Sequence, residues 1–196
     1  MRIFFAFPIA LFLAGGFLSV AQADTPARDA APASVRQHAT LDKLFSDLKR
    51  ERNDKAAERI AADIWQAWSE SGSPSIDLMM EWAQKAIGAQ KFDVAMDFLD
   101  QVTVLDPAYA EGWNRRATVH YIMKNYAKSL TDIEQALRLE PRHFGALSGM
   151  ARIMADTGHK QAALDIWQQV LAIYPMMRSA QGEVDTLSEE LTGERI

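Results

Sequence analysis

The sequence predicts an all-α fold, a right-handed superhelix of tandem helical hairpins, and three observations point to it. Side-chain size recurs every 34 residues across residues 76–175. Inside each unit the small and large positions follow one helix face, as Ala95, Leu99 and Val102 do at i, i+4 and i+7. Proline closes every unit, at Pro107, Pro141 and Pro175. About nine helices and no strands are expected.

The chain opens with a targeting pattern. Arg2 is the only charged residue before Asp24, residues 3–20 are almost wholly apolar, and Ala21-Gln22-Ala23 is a small-x-small site. Residues 1–23 therefore read as a secretory signal peptide cleaved after Ala23. The alternative is an uncleaved N-terminal membrane anchor, since 18 apolar residues just span a bilayer. Gly15, Gly16 and the A-x-A site favour cleavage. Residues 24–39 hold Pro26, Pro32 and many alanines without apolar periodicity, and read as a flexible tether.

Residues 40–73 read as a helical hairpin. Leu41, Leu44, Phe45 and Leu48 share one face, and Asn53-Asp54 breaks the helix. Ala57, Ile60, Ala61, Ile64, Trp65 and Trp68 mark a second helix that ends at Ser71-Gly72-Ser73-Pro74. The expectation is a divergent first hairpin that caps the stack.

Three clear repeats follow, at 76–107, 110–141 and 144–175. Met79, Trp113 and Leu147 form a bulky column, followed by the small column Ala83, Ala117 and Ala151. Ala95, Ser129 and Ala163 form a second small column, then Leu99, Ile133 and Trp167 are large again. Val102, Ala136 and Val170 follow, then Leu105, Leu139 and Ile173. Small residues belong where two helix backbones approach closely, and large ones fill the space beside them. Breaks within the hairpins fall at Gln90-Lys91, Lys124-Asn125 and Gly158-His159. Each closing proline is expected in the first turn of the next helix, with Asp106 as an N-cap. Residues 176–196 carry the stripe Ala180, Val184, Leu187 and Leu191 opposite Glu183, Asp185, Glu189 and Glu190, which reads as a C-terminal solvating helix.

Composition excludes several functions. The chain of 196 residues has no cysteine, so it has no disulfide, thiolate metal site, cysteine nucleophile or acceptor for a bacterial N-terminal lipid anchor. A formal charge of −5 argues against a nucleic-acid partner. His38, His120, His143 and His159 form no metal-ligand pair, and His120 reads as a packing residue. Met79, Met96, Met150 and Met154 fall in core columns, which favours packing over copper. No nucleophile motif or phosphate-binding glycine loop is present. No catalytic residue, metal or cofactor is expected, and the chain does not read as an enzyme.

The 34-residue period with this alternation of size resembles the tetratricopeptide repeat family. The middle unit matches it best, with Trp113, Ala117, Tyr126, Ala136 and Pro141 in place. Arg116 and Lys160 depart from the pattern, each expected to lay its stem on the core and keep its charge in water.

The resemblance implies that the first helix of each hairpin lines a concave groove for a protein or peptide partner. In the first unit the lining would be Asp77, Met80, Glu81, Gln84 and Ile87. The second unit would add Glu111, Asn114, Arg115, Thr118 and Tyr121, and the third Gly145, Ser148, Arg152 and Ala155. Residues 110–152 hold seven bases against four acids, so Arg115 and Arg152 are expected to hold an anionic group of the partner. The lysine, asparagine and arginine set with which some family members hold a C-terminal carboxylate is missing, since Met80, Gln84, Gly145 and Gly149 occupy most of those places.

The chain also resembles small periplasmic members of the family in Gram-negative, alphaproteobacterial cells. That implies a non-catalytic periplasmic interaction protein serving cell-envelope assembly or integrity, with no stable membrane insertion after signal cleavage. A periplasmic holdase chaperone, gripping unfolded chains through Met80, Ile87 and Tyr121, is the alternative. A peptidoglycan-active enzyme is the remote one.

Overall fold

Why side-chain size repeats becomes clear once the helices are in place. A computed structural model describes residues 33–193, with side chains from residue 40. The expected signal segment and most of the tether lie outside the described residues. Nine helices and no strands occur among the described residues: α1 (Ala33–Arg50), α2 (Asp54–Ser69), α3 (Pro74–Gly88), α4 (Phe92–Leu105), α5 (Ala110–Ile122), α6 (Tyr126–Leu139), α7 (Phe144–Asp156), α8 (Lys160–Ile173) and α9 (Arg178–Gly193). The end of the expected tether is already helical, because α1 begins at Ala33.

Pairs α3/α4, α5/α6 and α7/α8 are the three repeat hairpins. Ala83, Ala117, Ala151, Ala95, Ser129 and Ala163 are all buried where paired helices meet. Ser129 replaces an alanine at no polar cost, because its hydroxyl donates to the Ala117 carbonyl at 2.8 Å. Leu99, Ile133 and Trp167 are buried in the interior beside them. The outer column behaves differently from expectation. Leu105 is 65% exposed and Leu139 38%, each being the last residue of its helix, where the chain turns away from the stack.

The turn inside each hairpin uses one left-handed residue. Gln90, Lys124 and Gly158 have φ of 57°, 59° and 81°. Each is followed by an amide that reaches back into the preceding helix: Lys91 to Ala86 O, Asn125 to His120 O and His159 to Met154 O, all at 2.8–2.9 Å. Between units the prolines do not start helices. Pro107, Pro141 and Pro175 lie in the turns, and the next helices begin three residues later. Asp106 is correspondingly a C-terminal residue, not an N-cap. Its amide bonds Val102 O at 2.9 Å, and its carboxylate accepts from the Ala108 N–H at 3.2 Å. The pyrrolidine stops the outgoing helix here and does not seed the incoming one. Pro74 is the exception, at the start of α3.

Helices α1 and α2 depart further from expectation. They form the expected hairpin, but it does not stack on α3. Its apolar face joins the core of α7, α8 and α9, where Phe45, Leu48, Ile64 and Trp68 are buried in one cluster with Phe144, Leu147, Trp167 and Tyr174. Helix α2 runs across the starts of later helices in reverse order. Asp54 pairs with Arg178 at the start of α9. Trp65 packs edge-on against Phe144 at the start of α7, with ring centres 5.4 Å apart. The Ser69 carbonyl then accepts from the Tyr109 hydroxyl, just before α5, at 3.1 Å.

Packing rather than charge holds this arrangement. Burying one large apolar side chain contributes roughly 1.5–3 kcal/mol, whereas an exposed pair such as Arg142–Asp42 contributes about 0–1 kcal/mol. An amphipathic stripe identifies a face to be buried but not the face that receives it. As expected, α9 covers α8 with Ala180 and Leu187.

Candidate functional site

The first helices α3, α5 and α7 line the groove, and two clefts open along it. Asp77, Met80, Glu81, Gln84, Glu111 and Arg115 line one, of about 320 Å³, together with Ser69 and Tyr109. Asn114, Thr118, Tyr121, Gly145, Ser148 and Arg152 line the other, of about 400 Å³. Ile87 and Ala155 border neither cleft; they pack against the hairpin interiors instead.

Glu111 organises the centre. It is 1% exposed and accepts from Arg115 at 2.7 Å, Asn114 at 2.8 Å and His143 Nε2 at 3.2 Å. His143 Nδ1 accepts the Ala146 N–H at 3.1 Å, so the ring proton sits on Nε2 and is donated to Glu111. Burial opposes ionisation of Glu111, but the His143 bond and the Arg115 charge outweigh it and hold the carboxyl below the usual carboxylate range. One carboxylate thereby ties α5 to the cap of α7.

This network decides which cations remain available. Arg115 is engaged by Glu111 and by Gln84. It does not meet Arg152, because the two line different clefts. Arg152 is exposed and has no ion-pair partner among the described residues. Of the two arginines expected to face a partner's anion, Arg115 is engaged within the protein and Arg152 is exposed. Tyr121, at the same mouth, donates its hydroxyl to Asp156 at 3.0 Å and shares that acceptor with Tyr126.

Arg116 also departs from expectation. Its guanidinium is not left in water. It donates twice to buried Asp132, at 2.8 and 2.7 Å, and to Asp100 and Thr103 of the preceding hairpin, both at 2.9 Å. Lys160 likewise reaches Glu190 of α9 at 3.3 Å. His120 packs as expected: it is buried, 3.9 Å from Asp132, and its burial lowers its pKa.

The sequence did not reveal Trp65 and Tyr109 as cleft lining, or the buried His143 as the partner of Glu111. Trp65 lies on a helix assigned elsewhere, and His143 sits in a turn whose neighbours are distant in sequence. A tryptophan pair, Trp65 and Trp68, beside a chain end that should be a modest cap was the available signal.

Known proteins share this architecture. The model of the tetratricopeptide repeat family matches residues 110–143. A TPR repeat-containing protein of Rhizobium etli is 51% identical over 165 residues, covering 84% of this chain and 80% of that protein. The first TPR domain of Spaghetti (RPAP3), solved with an HSP90 peptide, superposes with a TM-score of 0.57 at 21% identity, covering 60% of this chain and 93% of that one. The Sgt2 TPR domain from Aspergillus fumigatus gives 0.58 at 16% identity, covering 63% and 83%. These two structures share the fold. Such repeats serve protein–protein interaction. With its three hairpins of constant period and a relative half identical along most of both chains, this protein belongs to the tetratricopeptide repeat family.

Proposed function

We propose that the chain is an exported, non-catalytic scaffold that holds an extended segment of a protein partner in the groove between α5 and α7. We further propose that it works in the periplasm, supporting assembly or integrity of the bacterial cell envelope. The observation that carries the binding role is the cleft of about 400 Å³, with apolar walls and, at its edge, the exposed Arg152, which has no ion-pair partner among the described residues. A bound HSP90 peptide in the structure of the Spaghetti domain makes a peptide ligand the natural reading for a groove of this kind. His143 and Arg115 both donate to buried Glu111, which suits a rigid frame better than a reacting centre. Export rests on Arg2, the apolar run at 3–20 and the Ala21-Gln22-Ala23 site.

Two measurements test this. N-terminal sequencing of the protein recovered from periplasm should begin at Asp24; a chain retained in the membrane with Met1 would support the anchor instead. A deletion strain should be sensitive to detergent, and wild-type protein should restore tolerance where the groove variant Thr118→Trp/Arg152→Glu does not. Unaltered tolerance in the deletion strain, or full rescue by the variant, would remove the envelope role or the groove from it.

A second reading has one observation in its favour. Leu78 and Trp82 of α3 and Val104 and Leu105 of α4 are exposed apolar side chains. A holdase chaperone would use such surface, and would suppress aggregation of unrelated unfolded clients without preference among them.

A further inference from the structure

The groove face of α7 is nearly bare. It carries Gly145, Ser148 and Gly149 where α5 carries Glu111, Asn114 and Arg115. The cleft therefore descends between α5 and α7 to Ser129 and Ile133 of α6, both buried. The Ser129 hydroxyl is satisfied by Ala117, so the floor asks nothing polar of an occupant. At one end Trp65, from outside the repeats, lies directly over Gly145. A methyl group at 145 would stand 2.5 Å from the indole. The indole also borders a second cleft, of about 440 Å³, beside Met176 and Met177, and so separates the two. Arg152 stands seven residues beyond Gly145, about 10 Å further along α7 by the helical rise.

An extended chain fits this spacing. Side chains two residues apart point the same way and stand about 7 Å apart, and the length of an arginine side chain covers the difference. Resting on the reading of the groove as a peptide site, we propose that this cleft is a pocket for one bulky apolar side chain of an extended partner segment. Trp65 is its end wall, and Arg152 receives an acidic side chain two residues away. The α1/α2 hairpin is then part of the recognition surface, not merely a cover for the core.

The tripeptide acetyl-Phe-Ala-Glu-amide tests the assignment by NMR titration of the full chain. It should shift the Trp65 indole resonance saturably, with a Kd on the order of 1 mM for so small a ligand. Replacing Glu by Gln should weaken it about fivefold, and Arg152→Gln should abolish that difference. Thr118→Trp, an exposed change at the cleft mouth, should remove binding of both peptides while leaving the melting temperature unchanged. No saturable shift, a Glu preference that survives Arg152→Gln, or unaltered binding to Thr118→Trp would each overturn the proposal. If the tripeptide fails while Thr118→Trp/Arg152→Glu still loses envelope function, the pocket is wrong and the groove reading stands.

Discussion

The imidazole of His143 lies flat on the indole of Trp68, with ring centres 4.0 Å apart and planes 6° from parallel. That stack joins the hairpin outside the repeats to the residue that caps α7 and bonds Glu111. His143→Ala removes the cap, the stack and one partner of a buried carboxylate together. It should destabilise the protein by about 3 kcal/mol in urea unfolding. His143→Asn keeps a cap acceptor, so it should lose about half as much.

Acid should act through Glu111. Its pKa is lower folded than unfolded, so its stabilising contribution is complete above the ordinary carboxylate value and is lost as pH falls through the lower folded one. Glu111→Gln should therefore be less stable than wild type at pH 7, and the gap should begin to narrow once pH falls below the ordinary carboxylate value of about 4.3. Urea midpoints of both proteins across pH 3–7, taken as an approximate working range, check this. A gap that widens in acid would reverse the assignment.

Lys124 holds a left-handed backbone that glycine adopts freely, as Gly158 does at the matching position of the next hairpin. Lys124→Gly should stabilise by about 1 kcal/mol, and Gln90→Gly similarly. Gly158→Ala should cost about the same amount. Thermal melts of the three variants measure it.

Gly145 is constrained by packing rather than by backbone angle. Any side chain there meets the ring of Trp65. Gly145→Val should force the hairpin away at a cost of about 2–3 kcal/mol and speed proteolysis between α2 and α3. Gly149, whose added methyl would meet Ile133 only at 3.4 Å, should accept alanine with a much smaller change.

Much of the repeat core was legible in the sequence, because side-chain size at close helix contacts is a local requirement. Ala95, Ser129 and Ala163 had to be small wherever the hairpins pointed. The course of the α1/α2 hairpin was not legible. Leu41, Phe45 and Leu48 announce burial, but the choice between stacking on α3 and reaching α7 is made by contacts such as Trp68–His143, 75 residues apart. Groove residues were legible by position and not by state. Arg115 and Arg152 look equivalent in sequence, and only the buried Glu111 distinguishes the engaged cation from the available one.

Leu78 and Trp82 mark where the hairpin would have packed had it followed chain order, and both are exposed. Nuclear Overhauser contacts from the Trp65 indole are therefore the most direct test of the path described. Contacts to the Gly145 α-protons and the Phe144 ring are expected. Contacts to Leu78 or Trp82 instead would contradict that path, returning the hairpin to the end of the stack and leaving the groove without its wall.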